Sequence, residues 1–145
     1  MHGRDFLWLA RVLVARNEEA AWRTAVSRAY YAAFHTARVL LAGCGFDVPR
    51  SDQAHAYLWL RLDNSGHEEL RTAGDALQVL RQNRNWADYD MHRPYHQAAA
   101  LAQILSASTV IETLEKATTG PTKSQITEAI KIYERDVLKT VTWRP

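Results

Sequence analysis

Val26, Tyr30, Ala33, Ala37 and Leu40 follow one another at spacings of four, three, four and three. That rhythm puts all five on one face of a helix, and the alanines let a neighbouring helix come close. No stretch of the chain alternates with the period of two that a half-buried strand requires. A chain patterned this way is expected to fold as helices packed on helices, without a sheet.

The rest of the sequence extends the pattern. A first helix is predicted over residues 4 to 16, burying Phe6, Leu9, Leu13 and their neighbours. Asn17 is placed to cap a second helix that runs to about Ala42, where Gly43 and Gly45 end it. "GFDVPRSD" reads as a loop, and a short helix over 53 to 62 turns Tyr57, Leu58 and Leu60 inward. Ser65 and Glu68 have capping-box spacing ahead of a helix carrying Leu70, Ala73, Leu77 and Leu80. Pro94 suits the first turn of a further helix to about Lys116, with Leu101, Ile104, Ile111 and Leu114 inside. Thr122 and Gln125 form a second capping box. The last helix, about 122 to 139, carries Ile126, Ile130, Tyr133 and Val137, and packs on its own bundle or on a neighbour. Four long helices suffice for an up-and-down bundle.

Length bounds the rest. A chain of 145 residues, 47% hydrophobic and 23% charged, suits one domain spanning 1–145. The net charge of +2 permits a nucleic-acid partner without arguing for one. The single cysteine, Cys44, excludes an internal disulfide and a cysteine metal cage, so a reducing, cytoplasmic setting is expected. "FLWLARVLVA" is interrupted by Arg11 and is read as a core-facing helix, and no run is long enough to cross a bilayer.

The chemistry gathers in "RQNRNWADYDMHRP", residues 81 to 94, with three arginines, two aspartates, a Trp, a Tyr and a His. One more step of four along the Leu70–Leu80 stripe lands on Arg84. An apolar row therefore gives way, on the same face, to a guanidinium. Arg84 and Asp88, like Asn85 and Tyr89, are i, i+4 pairs if the helix continues. Arg84 and Asp88 then either lock a corner of the core, or Arg84 is aimed at a phosphate, which a guanidinium grips with two hydrogen bonds. His92 is the candidate acid or base at neutral pH. On the second helix Arg28, Tyr31, His35 and Arg38 repeat on a face of their own. That line can contact phosphates, stand in solvent or form half of a dimer seam. His92 and His96 are four apart, but Pro94 lies between them and no third ligand is evident, so no metal and no cofactor is expected.

"SRAYYAAFHTARVLL" (27 to 41) and "LRQNRNWADYD" (80 to 90) together resemble the HEPN superfamily of small helical domains, over residues 5 to about 116. The resemblance implies an all-α, up-and-down bundle of four or five helices with an additional C-terminal helix, forming a homodimer. It implies an RNA-directed protein, often a toxin-type, metal-independent endoribonuclease paired with a small nucleotidyltransferase antitoxin. By that resemblance Arg84 and His92 are the catalytic candidates. Arg81, Asn85, Asp88, Tyr89, Tyr31 and His35 are the binding candidates for RNA or nucleotide. In the family's signature four to six residues separate Arg from His. Here Tyr89 stands after four, and seven separate Arg84 from His92. The alternative reading is therefore a dimer that binds nucleotide or a partner without cutting RNA.

Overall fold

The computed structural model describes residues 1–145. Six helices form in chain order: α1 (Gly3–Val14), α2 (Glu19–Gly43), α3 (Gln53–Asp63), α4 (Glu68–Tyr89), α5 (Gln97–Lys116) and α6 (Gly120–Tyr133). A π-helical turn, Glu134–Leu138, follows α6. There is no strand, only an isolated bridge between Phe46 and Trp143. No helix is long and apolar enough to cross a membrane.

α1, α2, α4 and α5 make an up-and-down four-helix bundle. Cross-contacts set the directions: Arg4 meets Glu115 and Arg11 meets Ser108, so α1 and α5 are antiparallel. Arg23 meets Ala87 and Tyr31 meets Arg84, so α2 and α4 are antiparallel as well. The α2 stripe of Val26, Tyr30, Ala33, Ala37 and Leu40 is wholly buried, as the spacing demands. Leu70, Ala73, Leu77 and Leu80 are buried along α4 in the same core. Close approach rests on two glycines. A Cβ on Gly3 would lie 2.5 Å from the Ala32 carbonyl oxygen, and one on Gly74 would lie 2.5 Å from Asp63 Oδ1 and 3.0 Å from Leu62 Cβ. α1 thus sits directly on α2, and α3 on α4.

Several local expectations are corrected. α1 buries Leu7, Ala10 and Val14, while Phe6, Leu9 and Leu13 are half-buried. This helix is apolar on most sides, so periodicity does not fix which stripe faces inward. Asn17 does not cap α2. The chain turns one residue later at Glu18, held by the Trp22 indole donating to the Arg16 carbonyl. Ser65 is not a cap either. Gly66 takes a left-handed φ of 70°, α4 opens after His67, and Glu68 is then too early to close a box. Thr119, not Thr122, precedes α6, whose first turn takes Pro121. Leu60 is half-buried, and α3 buries Leu62 instead. Leu101 points outward, and Ala100 takes its place on the α5 stripe. Tyr133, the last residue of α6, is half-buried, and Val137, within the π turn, is exposed.

α6 docks on its own bundle. Ile126 and Ile130 join the common core. Beyond them, Glu134 is fully buried against Arg61 of α3, with Arg61 Nε donating to Oε2 at 2.9 Å. The Arg61 guanidinium also lies 3.4 Å from the Tyr57 ring centroid and donates to the Tyr57 carbonyl. Glu134 accepts further bonds from the Thr142 hydroxyl and from the Thr142 and Trp143 amides. Burial alone would raise the Glu134 carboxyl, but the bonds from Thr142 and Arg61 outweigh it and hold the pKa below the usual range. The Trp143 indole then donates to the Cys44 carbonyl at 3.0 Å, fastening the tail to the end of α2.

Glu134→Ala would leave a buried guanidinium without its partner. The expected loss is about 3–5 kcal/mol in chemical denaturation, most of it recovered in the double replacement Arg61→Met, Glu134→Leu. A loss below about 1 kcal/mol would show that the clasp does not hold the tail.

Candidate functional site

The α4 stripe does continue onto Arg84, as the spacing indicates. Its side chain is 16% exposed, at the point where the core gives way to a surface pocket. The pocket has a volume of about 370 Å³. α2 supplies Ser27, Arg28, Tyr31 and His35, α4 supplies Arg84 and Asp88, and α1 contributes Phe6. Each of the three helices gives one face because their antiparallel packing brings residues 27–35 level with 84–88 and with the start of α1.

Geometry inside the pocket is set by cations lying against rings. Arg84 stands 5.3 Å from the Tyr31 centroid and 5.5 Å from that of Tyr89. Arg28 lies 4.9 Å from the Phe6 ring and 5.4 Å from Tyr31. Arg84 Nε is 3.0 Å from Asp88 Oδ2, a charge contact that is poorly aligned as a hydrogen bond. Its Nη1 donates to Asn85 Oδ1 at 2.9 Å. Asp88 also accepts from the Ser27 hydroxyl at 3.3 Å. Arg28 has no carboxylate within ion-pair distance. Two guanidinium groups therefore face one carboxylate, and the pocket keeps an excess of positive charge. Stacked rings and guanidiniums of this kind suit a phosphate with attached aromatic groups.

Two imidazoles are drawn to this region. His35 borders the pocket, its ring 5.6 Å from Phe6 and 6.2 Å from Tyr31. Burial, with Arg38 and Arg28 adding to it, lowers its pKa below the ordinary value. His55 of α3 lies behind the pocket, its Nδ1 hydrogen-bonded to the Tyr30 hydroxyl. Burial of Tyr30 drives its phenol pKa far up, so the hydroxyl keeps its proton. Burial and then the charges of Arg81 and Arg84 lower His55, with Asp52 partly offsetting them. Both imidazoles are thus shifted toward the neutral form.

The structure brings Arg84, Asp88, Tyr31 and His35 to one pocket, with Asn85 and Tyr89 at its edge. Tyr89 is 71% exposed. Arg81 is half-buried beside the Tyr30–His55 pair, outside the pocket lining. His92 is exposed on the turn after α4 and likewise lies outside the lining. Arg38 is tied up structurally, donating to the Pro49 carbonyl at 2.9 Å.

One residue that positions the site was missed by the sequence reading. Arg23 of α2 is buried and reaches across to the end of α4. Its Nη1 donates to the carbonyls of Ala87 at 2.9 Å and Asp90 at 3.0 Å, and Nη2 donates to that of Arg93. Glu19 accepts from Arg23 Nε and from the Tyr95 amide, each at 3.0 Å. Burial of Tyr95 follows, with its ring 4.7 Å from Trp86, and Arg93 lies 3.7 Å over the Trp86 ring. This anchored extended segment is why Pro94 lies before α5 rather than in its first turn: the helix opens only after His96. The signal was available. The α2 stripe, stepped back by three from Val26, lands on Arg23.

In an NMR titration the His35 and His55 resonances are expected to have midpoints below pH 6.5. Because the unfolded imidazole, at about 6.5, binds protons that the folded one resists, stability should fall as pH drops from about 7 to 5. Arg28→Gln should move the His35 midpoint upward; no movement would separate Arg28 from the pocket's electrostatics.

A family model described as the HEPN domain matches residues 3–135. No match was found among curated proteins or among solved structures. The matched span takes in all six helices, with both arginine-bearing faces of the pocket and the Arg23-anchored turn. The chain belongs to the HEPN domain family.

Proposed function

We propose that this protein acts on RNA, binding a phosphodiester at Arg84 and Arg28 and cleaving it as a metal-independent endoribonuclease of the toxin type. The observation that carries the reading is the pocket's charge: two guanidiniums, one without a carboxylate partner, against a single Asp88. RNA carries its own nucleophile, the 2′-hydroxyl, so the protein must supply only charge stabilisation and proton transfer. Arg84 takes the first role. For the second, family resemblance favours His92 and placement favours His35, the imidazole that borders the same pocket as Arg84. A second reading, a dimer that binds nucleotide or a small nucleotidyltransferase partner without turnover, is favoured by the position of His92 outside that pocket.

The active unit in this reading is a homodimer. Trp8 and Val12 on α1 and Leu101 and Leu105 on the adjacent α5 leave an apolar row exposed, with Trp8 at 66% and Leu105 at 70%. A second copy would cover it. Trp8→Glu is expected to convert a dimer to a monomer in sedimentation analysis; a wild-type chain that sediments as a monomer removes the dimer from the proposal.

Purified protein is expected to cleave RNA in the presence of chelator. Arg84→Ala should lower the rate by about 10²–10³-fold, the usual effect of removing one donor to a developing oxyanion. His35→Ala should abolish cleavage and His92→Ala should change it little; the reverse assigns proton transfer to His92. Arg84-dependent RNA binding without any product would select the second reading. Cleavage indifferent to Arg84 would end the first.

A further inference from the structure

A second, larger chamber adjoins the Arg84 pocket. It has a volume of about 660 Å³ and lies where the start of α1 crosses α2. Phe6 and His35 line both spaces, so the two form one trough with a shared wall. We infer that this chamber seats the nucleobase of the nucleotide whose phosphate Arg84 and Arg28 hold, with the ribose lying at His35. The inference rests on the phosphate reading above and extends it.

Three features match a base and not a second phosphate. The chamber offers a phosphate no free side-chain cation: Arg4 is clamped bidentately by Glu115, at 2.7 and 2.9 Å, and Asp5 adds a second carboxylate, which accepts from the His2 amide at 2.8 Å. An uncharged ring suits such a space, whereas the pocket beyond Phe6 carries the unbalanced arginines. The wall is aromatic, with Phe6 and His35 centroids 5.6 Å apart and tilted by 34°, and rings of this kind stack bases of any sequence. Polar edges are present but sparse, as in small-molecule sites generally. The Thr36 hydroxyl donates to Ala32 at 2.8 Å and keeps its own lone pairs free to accept. The Glu115 carboxylate retains acceptor capacity beside Arg4. The size of the chamber admits a bicyclic base.

The order of groups also agrees. In a nucleotide the ribose lies between base and phosphate. In the trough the residues common to both spaces are Phe6 and His35, so His35 would stand beside the ribose hydroxyl. An imidazole at that place can take the 2′-hydroxyl proton as its oxygen bonds to phosphorus; the bond from phosphorus to the 5′-oxygen breaks and that oxygen takes a proton from water, leaving a 2′,3′-cyclic phosphate.

Isothermal titration calorimetry with adenosine 3′-monophosphate, ribose 3-phosphate and inorganic phosphate tests the assignment. The wild-type protein should bind the adenosine compound about tenfold or more tighter than ribose 3-phosphate, as one stacked base provides. Val39 lines the chamber and is 67% exposed, so Val39→Trp fills the space without disturbing the core. That variant should bring the two affinities within about twofold and leave ribose 3-phosphate binding unchanged. Arg84→Ala should weaken both ligands. Equal wild-type affinities, or an advantage of the base that survives Val39→Trp, would overturn the base seat while Arg84-dependent phosphate binding stands. If neither ligand binds, or Arg84→Ala changes neither, the phosphate reading falls and the base seat falls with it.

Discussion

The guanidinium of Arg23 governs how the rest of the site is placed. Helix α4 ends in carbonyls that have no partners of their own, and the chain must then reverse into α5. A helix end buried without partners is unfavourable. One buried arginine, steadied by Glu19, satisfies the carbonyls of Ala87, Asp90 and Arg93 at once. Hydrogen bonds from a charged donor are among the stronger ones, and here they tie α2 to the exit of α4. Since α2 also carries Arg28, Tyr31 and His35, the same tie keeps these residues in register with Arg84 and Asp88.

Burial and charge work together above that anchor. Arg84 is sunk far enough that its charge is felt by His55 and Tyr30 behind it, yet it still borders solvent through the pocket. A fully exposed arginine would be screened by water and salt. A fully buried one would need complete compensation, as Arg61 receives from Glu134. The contrast between these two arginines separates structural from available charge in this bundle: one is paired with a carboxylate and a carbonyl in the interior, the other shares a single carboxylate at the edge of a cavity.

Much of this was legible in the sequence because it depends on periodicity. The stripes on α2 and α4 and the handover from Leu80 to Arg84 are statements about faces of helices, and they hold. Helix ends were read less well. Asn17, Ser65 and Thr122 are good capping residues, but tertiary contacts decided the boundaries: the Trp22 indole on Arg16, the left-handed Gly66, and Pro121 in the first turn of α6. Arg23 escaped because its partners are backbone carbonyls, which carry no residue-type signal. The grouping of His35 with Arg84, rather than His92, follows from how α1, α2 and α4 align, and spacing along one chain does not encode that. Leu101 was read as core from its apolarity, although its angular position on α5 faces away.

The clasp between Arg61 and the tail has a consequence for how the chain is made. Synthesis delivers the N-terminal segments first, and a domain's early elements can begin to assemble before its last residues emerge. Arg61 is produced long before Glu134 and Thr142, so during that interval its guanidinium has no counter-charge and must remain hydrated. That corner can therefore dehydrate and close only after Glu134 and the 142–143 segment have emerged.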